Sequence, residues 1–509
     1  MSFKFHRLIR TVVQIVFLLF FIFFFLRTVY GVRIDLQNIF YRFNPLLFIT
    51  VSIASRFFVC ALLPSVILII LTLLFGRVFC GFICPLGTMI DFFDTILKKS
   101  RIKFHKNNHG KWFVITKSTK YIVLLFILIS ALLGISFVQF FDPFVIFERF
   151  LTFVILPVTT YFVGFFANIK IFFAKESLFV LFYFIAILSL GIFASRFWCQ
   201  YLCPLGGLLS MLSKIAIFKF LFTQTCSKCS LCRKVCATDA IDIDKEKIDA
   251  GECINCFRCQ YECSDRIIKY KVGLKLSNFN IQRRHFITAS GMALVVVPLV
   301  RIIVNQRTNG RLIRPPGAIP ELDFLNTCIR CGKCIKVCPT NGLQPCLFES
   351  GINGLWTPHL VARIGGCEKN CNFCGQICPT GAIKNLPLEE KTYVKIGTAV
   401  IDRFRCIAWE QDKACLICDE ACPYNAINNF NETMRNITIG RPFVDERLCT
   451  GCGICESRCP LEGRSAIEVY SIGEERKRSG SYITTEKIKL RCGTESSDDI
   501  PSGFILQDN

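Results

Sequence analysis

A chain of 509 residues has room for several domains, and this one is uneven: 52% of it is hydrophobic, with 51 Phe gathered mostly before position 200 and the other apolar residues recurring near 290. That split excludes a single globule and reads as membrane plus soluble parts. The formal net charge of +22 arises from Lys and Arg set beside apolar segments, as membrane topology requires, so nucleic-acid binding is excluded as its explanation.

Residues 11–30 (TVVQIVFLLFFIFFFLRTVY), preceded by His6, Arg7 and Arg10, can cross about 30 Å of hydrocarbon as a helix. Runs at 61–79, 120–140 and 178–197 are expected to span as well. Those at 46–59 and 144–167 are expected to be re-entrant or interfacial, Pro64 and Pro157 interrupting the set. Between 98 and 120 lie eight Lys or Arg and no carboxylate, which places that loop in the cytoplasm; four spans then return the chain inside. The membrane part is also duplicated. RVFCGFICPLGTMIDFF at 77–93 matches RFWCQYLCPLGGLLSML at 196–212, and Phe43-Asn44-Pro45 is echoed by Phe141-Asp142-Pro143. A parallel repeat turns about an axis along the membrane normal, so Cys80 and Cys84 are expected to meet Cys199 and Cys203 at the cytoplasmic face. Three roles stay open for them: a shared metal or cluster, dithiol electron exchange, or buried small apolar side chains.

After 220 the chain turns polar and Cys-rich, until IQRRHFITASGMALVVVPLVRIIV brings a fifth apolar segment behind Arg283 and Arg284. It has the form of a twin-arginine export signal set in mid-chain, or of a plain anchor with basic flanks; either puts the following residues outside. Arg301 shortens its apolar core, and with no A-x-A pattern after it the segment is expected to stay attached. A Pro/Gly linker (RTNGRLIRPPGAIPE) follows, then four Cys groups up to 459 and a polar tail beyond about 475.

Cys226, Cys229, Cys232 and Cys236 follow C-x2-C-x2-C-x3-C, as do Cys253, Cys256, Cys259 and Cys263, Cys328, Cys331, Cys334 and Cys338, and Cys449, Cys452, Cys455 and Cys459. This is bacterial ferredoxin spacing, in which three thiolates hold one cubane and the fourth serves the neighbouring one. By that rule Cys236 belongs to the second inner cluster and Cys263 to the first. Cys367, Cys371, Cys374 and Cys378 lengthen the first gap, and Cys406, Cys415, Cys418 and Cys422 lengthen it further. Pro339, Pro379, Pro423 and Pro460 end the loops, and Ala382-Ile383, Ala426-Ile427 and Ala466-Ile467 are expected to pack over the clusters. Ala237 and Ser264 replace that Pro in the inner pair. Zinc knuckles pair two C-x2-C turns across a longer gap, and disulfides within such short loops are strained, so six [4Fe-4S] clusters are the expectation. Cys60, Cys346 and Cys492 stand alone and are expected to be structural.

The five His residues, at 6, 105, 109, 285 and 359, lie outside every span, which excludes bis-His haem in the bilayer; no haem is expected. There is no dinucleotide fingerprint, P-loop or nucleophile signature, and no catalytic residue is expected.

At these residues the chain resembles two families joined end to end. Residues 1 to about 275 resemble the NapH-type membrane iron-sulfur protein, through the two C-x3-C-P motifs, Asp142-Pro143 and two ferredoxin groups. From about 281 the chain resembles the NapG/MauM-type exported four-cluster ferredoxin, through the twin Arg, RPPGAIPE, CIRCGKCIKVCP, LWTPHL and CNFCGQICPTGAI. The resemblance implies transfer of electrons from a bound quinol of the quinone pool to a periplasmic oxidoreductase such as nitrate reductase, or to a c-type cytochrome. It also implies export by the twin-arginine machinery. A second class stays open: an assembly factor supplying reductant to mature a periplasmic metalloenzyme. By resemblance to four-cluster subunits, the first and fourth outer groups are expected to share one lobe and the middle two another.

The fold class expected is an α-helical polytopic membrane domain with a duplicated half, plus two ferredoxin-like α+β [4Fe-4S] domains joined by a transmembrane, twin-arginine-like helix. The expected boundaries are 1–215 for the membrane domain, 216–275 for a cytoplasmic two-cluster domain, 281–305 for the signal or anchor helix, 306–475 for a periplasmic four-cluster domain, and 476–509 for the tail. The chain would then sit in the bacterial cytoplasmic membrane.

Overall fold

The computed structural model describes residues 3–27, 38–99, 117–167, 177–226, 228–263, 265–273, 283–304, 310–347, 349–434 and 437–492. Most of the basic loop at 98–120 lies outside them. The chain divides into two compact units, Met1–Ile303 with Leu325–Gly332, and Val304–Phe324 with Lys333–Asn509.

In the first unit the apolar runs are helical, but several are shorter than the sequence suggests. Two helices among the described residues are long and apolar enough to cross a membrane, Arg7–Arg27 and Pro143–Tyr161. The second falls in the run at 144–167, expected to be re-entrant or interfacial, which continues as one helix through a π turn at Leu151–Ile155. The runs expected at 61–79, 120–140 and 178–197 form the shorter apolar helices Cys60–Phe75, Thr119–Leu132 and Ser177–Ile192. Gly76 and Gly134, at φ 71° and 78°, supply the left-handed turns just beyond the first two, a conformation glycine adopts without steric cost.

The duplicated Phe-x-Pro motifs cap helices. Asn44 Oδ1 accepts from the N–H groups of Leu46 and Leu47 at 3.1 and 3.3 Å, and Asp142 Oδ1 from those of Phe144 and Val145 at 3.0 and 3.2 Å. A proline follows each cap, where its missing N–H costs nothing. The caps also meet, Asn44 Nδ2 donating to Asp142 Oδ2 at 2.6 Å in a fully buried site. Nearby, Asp91 accepts from Arg10 at 2.6 Å, from Arg196 at 2.6 and 2.7 Å and from Gln14 at 2.9 Å, all inside the unit. Val16, Leu19, Phe23, Phe179, Phe182 and Leu294 face outward.

The inner ferredoxin-like part of this unit pairs Phe218–Phe222 with Ile268–Val272, and Ile241–Asp242 with Lys247–Ile248, both antiparallel. It packs tightly on the helices. Arg77 Nη1 donates to Gly251 O at 2.8 Å, Ser210 Oγ to the same oxygen at 2.7 Å, and Lys120 pairs with Glu252 at 2.6 Å. The Arg283–Val304 helix, whose apolar part is His285–Leu299, contains Pro298.

The second unit is built on three antiparallel pairs: Leu343–Pro345 with Pro358–Leu360, Thr398–Ile401 with Ile467–Tyr470, and Ile427–Met434 with Ile437–Val444. Arg314, in the RPPGAIPE segment, is buried and tied to Glu321 at 2.5 Å, Thr357 at 2.9 Å, Pro358 O at 2.8 Å and Ser350 at 3.0 Å. This clamp joins RPPGAIPE to LWTPHL. The stretch read as a polar tail is folded onto this unit as far as residue 492. Tyr482 is fully buried, accepts from the N–H of Lys477 through its hydroxyl and donates its own N–H to Glu390, and Ile488 is buried behind it.

Candidate metal centres

Each Cys group opens as a loop and closes on a short helix, such as Leu231–Val235, Arg258–Glu262, Phe373–Ile377 or Ile454–Arg458. The loop needs left-handed backbone, which Ser230, Phe257 and Gly453 provide at φ 61°, 59° and 77°. The short helix leaves its fourth Cys extended, at ψ 113° for Cys236 and 114° for Cys378, so that this thiol points away from its own loop.

In the inner part the crossing runs as expected. Cys253, Cys256 and Cys259 line one cavity with Cys236. Cys226 and Cys263 pack against the core that holds Cys232, and with Cys229 they add to the rise that burial gives its thiol. The outer unit repeats the exchange. Cys338 joins Cys367, Cys371 and Cys374; Cys459 joins Cys406, Cys415 and Cys418; Cys422 joins Cys449, Cys452 and Cys455. This overturns the expected pairing of the first outer group with the fourth. Adjacent groups exchange their last Cys because the Ile427–Val444 hairpin turns the chain back after Cys422 and returns the Cys449–Cys455 loop to it. Cys328 and Cys331 fall in the first unit, and Cys334 and Cys378 in the second.

The Ala-Ile pairs do more than cover. Ala426 N–H donates to the Cys422 sulfur at 3.3 Å, and Ala426-Ile427 and Ala466-Ile467 line their cavities. Ile383 N–H donates to Cys378 at 3.5 Å. Ala240-Ile241 plays this part in the inner domain, Ala240 N–H reaching Cys236 at 3.3 Å. The sequence reading passed over that pair, although the same four-residue offset from the last Cys marks it.

The donor set fits iron-sulfur cubanes. Burial pushes the Cys253, Cys259, Cys374 and Cys455 thiols well above their usual range, and neighbouring thiols add to the shift. Cys418 and Cys452 are pushed up to about 12 for the same reasons. Such groups ionise together only around a cationic core. No three His, Cys, Asp or Glu side chains among the described residues converge tightly enough for a single ion. A tetrahedral zinc with bonds of about 2.3 Å needs that convergence, whereas a cubane holds its four thiolates farther apart. No disulfide forms among the described cysteines.

The four C-x3-C-P cysteines also come together. Cys80, Cys84, Cys199 and Cys203 line one cavity with Arg77, Pro143 and Trp198. Pro85 and Pro204 begin helices there, and the sulfurs of Cys84 and Cys203 accept from the N–H groups of Gly87 and Gly206 at 3.4 and 3.2 Å, an equivalence that matches the duplication. Of the lone cysteines, Cys346 is fully buried with its sulfur 3.1 Å from His359 Nδ1, Cys60 is exposed, and the Cys492 side chain lies outside the described residues.

Family models for 4Fe-4S binding domains match residues 57–103, 177–223 and 372–387, and residues 442–462; a 4Fe-4S dicluster model matches 252–343. The dicluster match joins the second inner group to the first outer one, whereas the cavity places Cys236 with Cys253, and the cavity, being the lining of one site, decides the pairing. The chain is 34% identical over 212 residues to the ferredoxin-type protein NapG of Escherichia coli, covering 39% of this chain and 90% of the relative. It is 37% identical over 169 residues to the methylamine utilization ferredoxin-type protein MauM of Methylorubrum extorquens, 32% of this chain and 74% of the relative. Against NapG of Haemophilus influenzae it is 31% identical over 258 residues, 45% of this chain and 91% of the relative.

Proposed function

Since the chain belongs, over 39% of its length, to the family of NapG and MauM ferredoxin-type proteins, we propose that it is a membrane-bound electron carrier passing electrons from quinol, through six ferredoxin-type [4Fe-4S] clusters, to a periplasmic oxidoreductase. The observation that carries this reading is the exchange of fourth cysteines between adjacent loops, the arrangement in which ferredoxins hold their clusters in pairs. The membrane placement is supported by an inverted distribution of polarity. Arg10, Gln14, Asp91 and Asp142 point inward, while Phe, Leu and Val cover the outside of the helices, as a lipid solvent favours. On this reading residues 1–215, preceding the NapG-like part, are a NapH-like polytopic domain with the inner ferredoxin on its cytoplasmic face. The Arg283–Val304 helix carries the twin-arginine address, and the second unit is periplasmic.

The test is anaerobic purification followed by iron analysis and reduction with a quinol. The six ferredoxin-type cubanes account for about 24 iron atoms per chain, and their optical bleaching on quinol addition is the expected result. A colourless, iron-free protein removes the iron-sulfur reading; iron-loaded protein that quinol never reduces removes the quinol donor.

A further inference from the structure

The cavity lined by Cys80, Cys84, Cys199 and Cys203 is made like the ferredoxin-type cavities. It too has four thiols from two loops, apolar walls and backbone N–H groups aimed at sulfur. It also has two features that a set of packing cysteines does not need. Arg77 Nε and Trp198 Nε1 are buried without a hydrogen-bond partner, and both side chains line the cavity. Each repeat lends its arginine to the other. The Arg77 guanidinium lies against Gly206 in the second C-x3-C-P loop, and Arg196 Nη1 donates to Cys80 O in the first at 2.8 Å. A cubane held by four thiolates is a net anion, and the buried Arg77 guanidinium that lines the cavity would offset part of that charge. A single ion does not suit the site, since no three ligands converge among the described residues.

The position is as telling as the lining. Arg77 donates to Gly251 O at 2.8 Å, two residues before Cys253, and a Cβ on Gly81 would fall 2.3 Å from Ile254 O, so the quartet abuts the second inner cluster loop. On the other side the cavity reaches Pro143, where the long helix begins. Six residues on, a rise of about 9 Å, Arg149 Nε donates to Arg330 O at 3.2 Å, between Cys328 and Cys331, within the same unit. Ile329 and Cys331 share one apolar core with Cys84 and Cys203.

We infer that Cys80, Cys84, Cys199 and Cys203 together hold a seventh [4Fe-4S] cluster, which relays electrons between the inner ferredoxin domain and the loop of Cys328 and Cys331. An electron leaving a cluster held by Cys236, Cys253, Cys256 and Cys259 would be taken up by one held by these four thiols, a one-electron oxidation matched by a one-electron reduction. No covalent bond is made or broken and no proton is needed. Trp198, whose Nε1 is buried and unpartnered in the cavity wall, would supply a hydrogen-bond donor to the bound cluster. The inference rests on the iron-sulfur reading and not on the quinol donor.

The test uses the full chain purified without oxygen. About 28 iron atoms and as many acid-labile sulfides per chain are expected, four for each of seven cubanes. The double variant Cys84→Ser, Cys203→Ser is expected to lose four of each, with one component of the electron paramagnetic resonance spectrum. About 24 irons in the parent, unchanged in the variant, overturns the inference while leaving the other six clusters in place. So does copper or zinc lost with the same thiols, or a disulfide between them. Trp198→Phe keeps every thiol and decides the matter if the serine variant does not fold. The g-values and midpoint potential of one cluster are expected to move while the iron count holds, and an unchanged spectrum and potential overturn the inference.

Discussion

Cys459 shows how far a single thiol reaches beyond its own loop. It ends the last C-x2-C-x2-C-x3-C run yet lines the cavity of Cys406, Cys415 and Cys418. Cys459→Ser is therefore expected to alter the electron paramagnetic resonance signal of that cluster and to leave the cluster of Cys449, Cys452, Cys455 and Cys422 with its native ligands. Selective loss of the latter signal would reverse the assignment. The Cys groups were legible in the sequence because three of the four thiols in each stand close together along the chain; which loop each fourth thiol joins depends on where the chain turns back, as at the Ile427–Val444 hairpin, and spacing carries no trace of that. His359 carries a different prediction. Burial holds its imidazole down at about 4, below its usual 6.5, so the unfolded chain takes up the proton first and stability declines as pH falls below about 6.5. Glu321, held at about 2 by hydrogen bonds and charge from Arg314 and Arg476 despite burial, contributes stability above about 4.5 that is lost as pH falls toward 2. Thermal midpoints across this range should show two successive declines, and His359→Gln should flatten the first and spare the second. A profile unchanged by that substitution would clear His359 of the effect.

At the scale of elements, the helices of the first unit are held by polar contacts that hydropathy does not see. The N-terminal helix is fixed by Arg10 and Gln14, which reach Asp91 and also Gly81 O at 3.3 and 3.0 Å. Asp91 neutralises Arg10 and Arg196 together, and both guanidiniums are buried. Asp91→Asn leaves them facing each other without a counter-charge, and a loss of about 3–5 kcal/mol is expected, read as a lowered thermal midpoint in detergent; a midpoint within a degree of the parent would show that the arginines find other partners. The duplicated Phe-x-Pro motifs announced a repeat, but not that Asn44 and Asp142 cap two helices and bond to each other, since a cap depends on backbone placement. Helix lengths were less legible still. Apolar runs continue through Gly76 and Gly134, and composition alone cannot tell a spanning helix from two shorter pieces joined at a left-handed glycine.

For the whole molecule, the order of parts was readable because each uses a different chemistry: apolar helices, Cys-dense loops, a basic pair ahead of an apolar segment. What composition missed is how firmly the parts are joined. Residues 476–492 look like a solvated tail by charge, yet Tyr482 anchors them, because one buried aromatic outweighs many exposed polar side chains. Within the first unit, Gly251, Glu252 and Ile254 of the inner ferredoxin rest directly on the C-x3-C-P loops and on Lys120. Gly81→Ala would set a methyl group 2.3 Å from the Ile254 oxygen, a backbone atom that cannot swing aside. It is expected to loosen this docking and slow electron exchange between inner and outer clusters while the iron content holds. The proposed placement of the second unit beyond the membrane raises a separate demand. Iron-sulfur clusters are assembled in the cytoplasm, so a cluster-bearing domain has to cross folded, which a twin-arginine address permits and a threading route does not. Replacing Arg283 and Arg284 by Lys should therefore leave the C-terminal unit inside, protected from protease added to spheroplasts, while the parent is cut. If the variant is cut as readily, the helix is a plain anchor and the domain reaches the outside by another path.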